Sequence, residues 1–342
     1  MTATELKAKI KSGDVGGAYI FCGEEDYLKK HYLGEFVNIC CPDDAFSLFN
    51  KIVFDGADVS IAEISEAIKS PPMMGDRKLI VWKYPEIDKS SESQKRAIEE
   101  LGADMREYPH STLVLFTDAD GFQPGTARRP SKLSSRLGAN YNIVNFEKCS
   151  DAQLISWLGR HFTSEGVAAD AETLSALIFH SGHSMEVLKN EVEKLSAYAK
   201  ANNLHAVTKK EVESVASSTL ECDAFALSGA ISDKNREKAF LALSDMAARR
   251  IEPGAVLATL SKSFAELVTV ALLLEEGKDA RDIESLLGWN QYKIKVAINS
   301  SRKWGRAKLS QASARLRRMD AESKSGGAGG YKMLEIFVCE FI

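Results

Sequence analysis

A chain of 342 residues with a formal net charge of -4, 44% hydrophobic and 27% charged residues, has the composition of a soluble globular protein and is too long for one small core, so two or three domains are expected. No uninterrupted run of about 18 apolar residues is present, so no membrane span is expected, and the N-terminal residues Met1 to Lys7 lack the apolar stretch of a signal peptide. The six cysteines (Cys22, Cys40, Cys41, Cys149, Cys222, Cys339) form neither a C-x-x-C pair nor a zinc-ligand spacing and read as reduced thiols; His180 and His183 make an H-x-x-H without further ligands, and no metal site is expected.

Residues 1–147 alternate strand and helix. Short β-branched or aromatic runs at Ala18–Cys22, Lys51–Phe54, Leu79–Trp82, Thr112–Phe116 and Asn142–Phe146 read as strands buried on both faces, hence a parallel sheet covered by helices. Ser60 and Glu63 predict a capping box for a helix with an apolar face of Ile61, Ile64, Ala67 and Ile68. Pro71 and Pro72 stop that helix, because neither can donate a backbone hydrogen bond and both disfavour helix in the residue before them. Met73 and Met74 follow, beside a Gly75-Asp76 turn and Arg77, before the third strand. Two large flexible apolar side chains on so short a link are either a plug under the sheet or an outward wedge for a partner. Another helix runs from about Ser91 to Leu101. Beyond the fourth strand a Gly/Pro-punctuated loop carries Arg128 and Arg129, followed by Lys132 and Arg136, either a solvated basic surface or one facing a neighbouring subunit.

After Phe146 the strands stop. Ser150 with Gln153 predicts a second capping box, ahead of Leu154, Trp157, Leu158 and Phe162 at helical spacing; Thr208 with Glu211 predicts a third. Asn190–Leu195 reads as a structural helix with a Glu191–Lys194 pair, packing the helical part on the sheet. Boundaries fall near Glu147 and Ser217, and the last segment is long enough for five or six helices, ending in a Ser/Gly-rich break at 325–330 and an apolar helix, Tyr331 to Ile342.

The first strand runs into Gly23-Glu24-Glu25-Asp26, with Lys29 close behind. Against the phosphate-loop pattern G-x-x-x-x-G-K-[ST], Gly23 and Lys29 match, but Leu28 replaces the second glycine and Lys30 the hydroxyl residue. Glu24, Glu25 and Asp26 put negative charge where backbone N–H groups would cradle anions. The third strand ends in Lys83-Tyr84 rather than in acidic metal ligands. The domain therefore has a nucleotide-binding type of scaffold without the residues for hydrolysis, and no bound nucleotide is expected.

From Ser285 to Met319 the chain has no Asp or Glu but carries Lys293, Lys295, Arg302, Lys303, Arg306, Lys308, Arg315, Arg317 and Arg318, with Trp289, Tyr292 and Trp304 among them. Leu309, Ala312, Leu316 and Met319 form a buried stripe. The basic residues are either phosphate contacts, with Trp289 or Trp304 stacking on an unpaired base, or a solvated face that meets acidic neighbours.

In order and spacing, Tyr19-Ile-Phe-Cys-Gly-Glu-Glu-Asp-Tyr-Leu28, Met73-Met-Gly-Asp-Arg-Lys-Leu-Ile-Val81, Asn190-Glu-Val-Glu-Lys-Leu195 with Tyr198, Asp223-Ala-Phe-Ala-Leu227, the Leu272–Leu287 segment, and Asp320 with Lys324 resemble the delta-subunit family of bacterial DNA polymerase III clamp loaders over essentially the whole chain. The resemblance implies an α/β RecA-like (AAA+-type) parallel-sheet domain without a working ATP site (1–147), a small all-α lid (148–216) and an all-α C-terminal collar (217–342). It implies a non-catalytic, cytoplasmic subunit of the polymerase holoenzyme that binds and opens the sliding clamp (the beta subunit). The other clamp-loader AAA+ subunits of a hetero-oligomeric ring would bind the ATP and load the clamp on primed DNA. Met73 and Met74 fall at the family's clamp-contacting pair, more usually Leu-Phe, with Pro72, Gly75, Asp76 and Arg77 supporting them. Trp289, Lys293, Lys295, Arg302, Lys303, Trp304 and Arg306 become candidate DNA contacts. The alternatives are an ATP-binding sister subunit, for which the phosphate-loop and acidic residues are missing; the other ATP-inactive subunit, whose zinc cysteines and Ser-Arg-Cys motif are missing; and a generic helical DNA-binding protein.

Overall fold

Each of the five apolar runs forms a strand of one parallel sheet. In the computed structural model, which describes residues 1–42, 44–73, 75–126, 128–325 and 329–342, the chain divides into two units, Met1–Cys149 and Ser150–Ile342. The first contains α1 (Ala3–Ser12), β1 (Gly17–Cys22), α2 (Asp26–Cys40), α3 (Asp44–Asn50), β2 (Lys51–Asp55), α4 (Ile61–Lys69), β3 (Lys78–Lys83), α5 (Glu92–Asp104), β4 (Ser111–Phe116), the two-residue strands β5 (Gly125–Thr126) and β6 (Arg129–Pro130), α6 (Lys132–Leu137) and β7 (Tyr141–Asn145). The sheet order is β2-β3-β4-β1-β7, with β1 paired in parallel to both β4 and β7.

Alternation along β1 builds two cores, because successive strand side chains point to opposite faces. Ala18, Ile20 and Cys22 join Ile64 and Ile68 of α4, Ile98 and Leu101 of α5 and Leu137 of α6. Tyr19 and Phe21 face Leu6 of α1 and Tyr32 and Phe36 of α2, with Phe36 edge-on to both rings at 4.9 and 5.5 Å. Burial on both faces holds for β1, β3 and β4. It fails for the two edge strands: β2 alternates exposed and half-buried residues, and β7 is buried only at Tyr141 and Val144.

Of the predicted capping boxes, those at Ser150–Gln153 and Thr208–Glu211 form, and others form at Thr2–Glu5, Ser91–Gln94 and Asp279–Asp282. The one predicted at Ser60 does not: Ser60 caps α4 without a side-chain bond.

The second unit contains α7 (Asp151–Ser164), α8 (Ala171–Ser181), α9 (Met185–Ala201), α10 (Lys209–Val215), α11 (Leu220–Ser232), α12 (Arg236–Ala248), α13 (Pro253–Glu275), α14 (Ala280–Leu287), α15 (Gln291–Trp304), α16 (Arg306–Lys324) and α17 (Tyr331–Phe341). Seven helices follow residue 217 among the described residues, where five or six were expected, because Asp279 caps and Gly288 ends a short extra helix, α14. By length and composition α13 could cross a membrane. It is instead the hub of the helical core: Val256, Leu257, Leu260, Phe264, Leu267 and Val270 are buried against α11, α15, α16 and α17. Met333, Leu334, Phe337 and Val338 dock α17 into the same core. In α7, Leu154, Leu158 and Phe162 are buried while Trp157 is only half-buried and lies against His161.

Glu191 and Lys194 pair at 2.8 Å. Buried Glu191 also accepts from the Ser217 N–H at 3.2 Å and Lys194 donates to Ser217 Oγ at 3.0 Å. These bonds tie α9 to the turn before α11.

Candidate protein-binding loop and the filled phosphate loop

The loop between α4 and β3 is fastened at both ends and in the middle. Its first residue, Ser70, lies beside Lys78, the first residue of β3. The Lys78 ammonium, buried without a carboxylate partner among the described residues, donates to the Ser70 carbonyl and to Ser70 Oγ. Burial pushes its pKa from 10.5 down to about 8. His110 Nε2 lies 3.3 Å from the same carbonyl, and Ser111 Oγ donates to the Ile68 carbonyl at 2.8 Å. Arg77 donates to the Gly13 carbonyl at 2.7 Å.

The middle is held by Asn50, the last residue of α3. Its buried amide accepts from the Met73 N–H at 2.7 Å and donates to the Met73 carbonyl at 2.8 Å, reproducing with one side chain the bonds a neighbouring strand would make. A methyl group at Gly75 would stand 3.2 Å from the Asn50 amide nitrogen, so glycine leaves that amide its room. With the backbone fixed, the Met73 side chain is 54% exposed. Met74 lies outside the described residues. Pro72 is half-buried and Asp76 exposed. The sequence gives no signal for Asn50, Lys78 or Ser70: an Asn and a Lys at element ends carry no pattern until the chain is folded.

On the same sheet, the glycine turn after β1 is closed on itself. Lys29, where a phosphate-loop lysine would stand, is fully buried. Its ammonium donates to the carbonyls of Gly23 and Thr117, each at 2.8 Å, and pairs with Asp26 at 2.8 Å. It lies 5.2 Å above the Phe116 ring, against which Tyr84 also packs edge-on. Gly23 has φ of +101°, and a Cβ there would meet the Phe146 carbonyl at 2.4 Å. The Glu25 N–H donates to that carbonyl, and burial raises the Glu25 carboxyl's pKa. Glu24 pairs with Lys148 at 3.1 Å. The lysine that would meet a phosphate is thus consumed by backbone carbonyls.

The basic stretch separates into two sets. Lys293 is held between Glu221 (2.6 Å) and Glu266 (2.9 Å) and lies 4.1 Å over the Trp289 ring. Lys295 pairs with Glu172, Lys303 with Asp233, Arg306 with Glu275 and Arg315 with Glu340. Trp304 is a core residue, 5% exposed, donating its indole N–H to the Ser228 carbonyl at 3.1 Å and edge-on to Phe264. That corrects its reading as a stacking platform: helical spacing on α15 turns it inward. Arg302, Lys308, Arg317 and Arg318 are exposed and make no ion pair among the described residues. Of the earlier basic group, Arg136 is tied to Glu92 and Glu99 of α5, while Arg128 and Arg129 are exposed. His183, of the H-x-x-H, meets Asp151 at 2.8 Å.

The sheet unit is thus an α/β domain built on a five-stranded parallel sheet in this order, with the lysine at the phosphate-loop position turned inward, and all-α segments follow it. Two family models match: "DNA polymerase III, delta subunit" over residues 19–146 and "DNA polymerase III delta subunit, C-terminal domain" over residues 221–341. The chain belongs to the DNA polymerase III delta subunit family. Similar proteins include the DNA polymerase III subunit delta of Bacillus subtilis, 21% identical over 338 residues, covering 97% of this chain and 95% of that one. Another is the probable DNA polymerase III subunit delta of Aquifex aeolicus, 24% identical, covering 90% and 85%. The solved structure of the Bacillus subtilis DNA clamp loader delta protein (YqeN) superposes with a TM-score of 0.59 at 20% identity, covering 99% of this chain and 98% of that one, and shows the fold to be shared.

Proposed function

We propose that this chain binds the sliding clamp through Met73 and Met74 and holds the ring open, without nucleotide of its own, for loading onto primed DNA by a cytoplasmic hetero-oligomeric loader whose sister subunits bind ATP. The observation that carries the reading is the exposed Met73 on a backbone locked by buried Asn50. A pre-ordered apolar loop loses little conformational entropy on docking. Two such side chains bury roughly 200–300 Å² of apolar surface, which at about 25 cal/mol/Å² is on the order of 5–8 kcal/mol before the costs of association. That suffices to bias a ring toward opening, provided the receiving pocket fits better in the open form.

The absence of a nucleotide role is supported by the Lys29 contacts, which leave its ammonium no free donor direction toward a phosphate. The division of the helical unit into lid (148–216) and collar (217–342) is supported by the interval 147–220 that the two family models leave between them. Contact with primed DNA is supported by Arg302, Lys308, Arg317 and Arg318 rather than by Trp304. The test is capture of the cognate clamp by the purified chain and by Met73→Ala/Met74→Ala: the parent should retain the ring and the variant should not, and equal retention would refute the assignment.

A further inference from the structure

Among the described residues of the sheet unit, the exposed large apolar side chains are Leu48, Phe49, Val53, Met73 and Tyr84. Four of the five lie between positions 48 and 73, on three elements that meet at Asn50. Leu48 is 82% and Phe49 56% exposed, on the last turn of α3, immediately before the residue whose amide grips the Met73 backbone. Val53 is on β2, the edge strand that α3 leads into. Single exposed apolar residues are ordinary; adjacent ones continuous with an anchored apolar loop mark an interaction surface.

We propose that the clamp-facing surface is bipartite: Leu48 and Phe49 form its second apolar element, and Asn50 is a positioning residue that fixes their spacing from Met73. This rests on the reading of Met73 and Met74 as the clamp contact. The partner is the clamp ring itself, because Asn50 makes α3 and the methionine loop one connected surface: whatever seats Met73 comes up against the end of α3. Phe49 supplies the aromatic anchor that the methionine pair lacks, and a large aromatic side chain surrounded by smaller apolar contacts is the usual composition of an energetic centre in an interface. The double bond from Asn50 to the Met73 backbone has a second effect: a loop that could swing away from α3 would present the two elements at variable spacing, and their contributions would not add in one complex.

The experiment measures the dissociation constant of the full chain for its cognate clamp ring by surface plasmon resonance. Leu48→Ala/Phe49→Ala removes only exposed side chains and should weaken binding about tenfold or more, about 1.4 kcal/mol, with an unchanged thermal midpoint. Asn50→Ala should weaken binding in the parent background but have little further effect once Met73 and Met74 are alanine, and should speed hydrogen exchange at the Met73 amide. If Leu48→Ala/Phe49→Ala binds within about twofold of the parent while Met73→Ala/Met74→Ala loses binding, the bipartite surface is overturned and the methionine reading stands. If the methionine variant binds like the parent, the methionine reading itself fails and takes the bipartite surface with it. Thermal unfolding of Asn50→Ala separates positioning from misfolding: weak binding together with a lost unfolding transition would overturn its role as a positioning residue, and the Leu48/Phe49 pair then decides the bipartite surface.

Discussion

Replacing Lys29 by methionine separates a structural lysine from a phosphate-binding one. Methionine keeps most of the buried volume but removes the donor to the Thr117 and Gly23 carbonyls and the partner of Asp26. A buried acceptor left without its donor costs about 1–3 kcal/mol; the Thr117 carbonyl is buried and the Gly23 carbonyl partly so. Relief from burying an ammonium offsets part of this. The expected net loss is about 2–4 kcal/mol, confined to the sheet unit. Three of the four tryptophans, Trp157, Trp289 and Trp304, lie in the other unit, so fluorescence would report the wrong half. Hydrogen exchange in increasing urea, read on peptides covering β1, α2 and β4, follows the right one. Those peptides should show lower protection in the variant, and neither protein should bind ATP measurably. A Lys29→Met chain with parental protection, alongside a parent that binds ATP and a variant that does not, would refute the structural role of Lys29.

Trp304→Ala should destabilise the helical unit by about 3–5 kcal/mol, the usual cost of emptying a large aromatic site, as measured by urea unfolding. Neutralising Arg302, Lys308, Arg317 and Arg318 to Gln should flatten the salt dependence of primed-DNA binding, by about 0.7–0.9 in the log–log slope for each phosphate that is no longer neutralised, while Lys295→Gln, whose charge is already engaged by Glu172, should leave the slope unchanged. For Lys78, the folded-state pKa of about 8 lies below the unfolded value near 10.5, so between those pH values the unfolded chain binds the extra proton. Stability relative to Lys78→Met should therefore rise as pH increases from about 8 toward 10.5 and be level below about 8; a gap that widens in the opposite direction would contradict the buried, unpaired charge.

The sheet was legible because its strands are short β-branched runs between turn signals, and the helices because Ser150, Thr208 and the spacing of Leu154, Leu158 and Phe162 are local signals. Edge position was not legible: Lys51–Phe54 reads like the other strands, and only the strand order puts β2 outermost. Met73 could be singled out, since two prolines and a Gly-Asp turn frame it, but its exposure depends on Asn50, which lies 23 positions away and acts through a tertiary bond. The fate of Lys29 was half legible. Its acidic company argued against a phosphate, whereas the carbonyl of Thr117 that occupies it comes from 88 positions away. Trp304 reads wrongly from sequence for a related reason: a basic neighbourhood describes the outside of a helix, and a single tryptophan in it belongs to whichever side its register dictates. The basic stretch also carries less free charge than its composition suggests, because the acids that neutralise Lys293 and Lys303 are remote in sequence.

Ring opening without nucleotide is the most direct test of clamp opening by this chain. A clamp labelled across one subunit interface with a self-quenching fluorophore pair should brighten when a stoichiometric amount of this chain is added in the absence of ATP, and should stay quenched with Met73→Ala/Met74→Ala. Brightening that requires ATP with this chain alone, or that is undiminished by the double substitution, would contradict it.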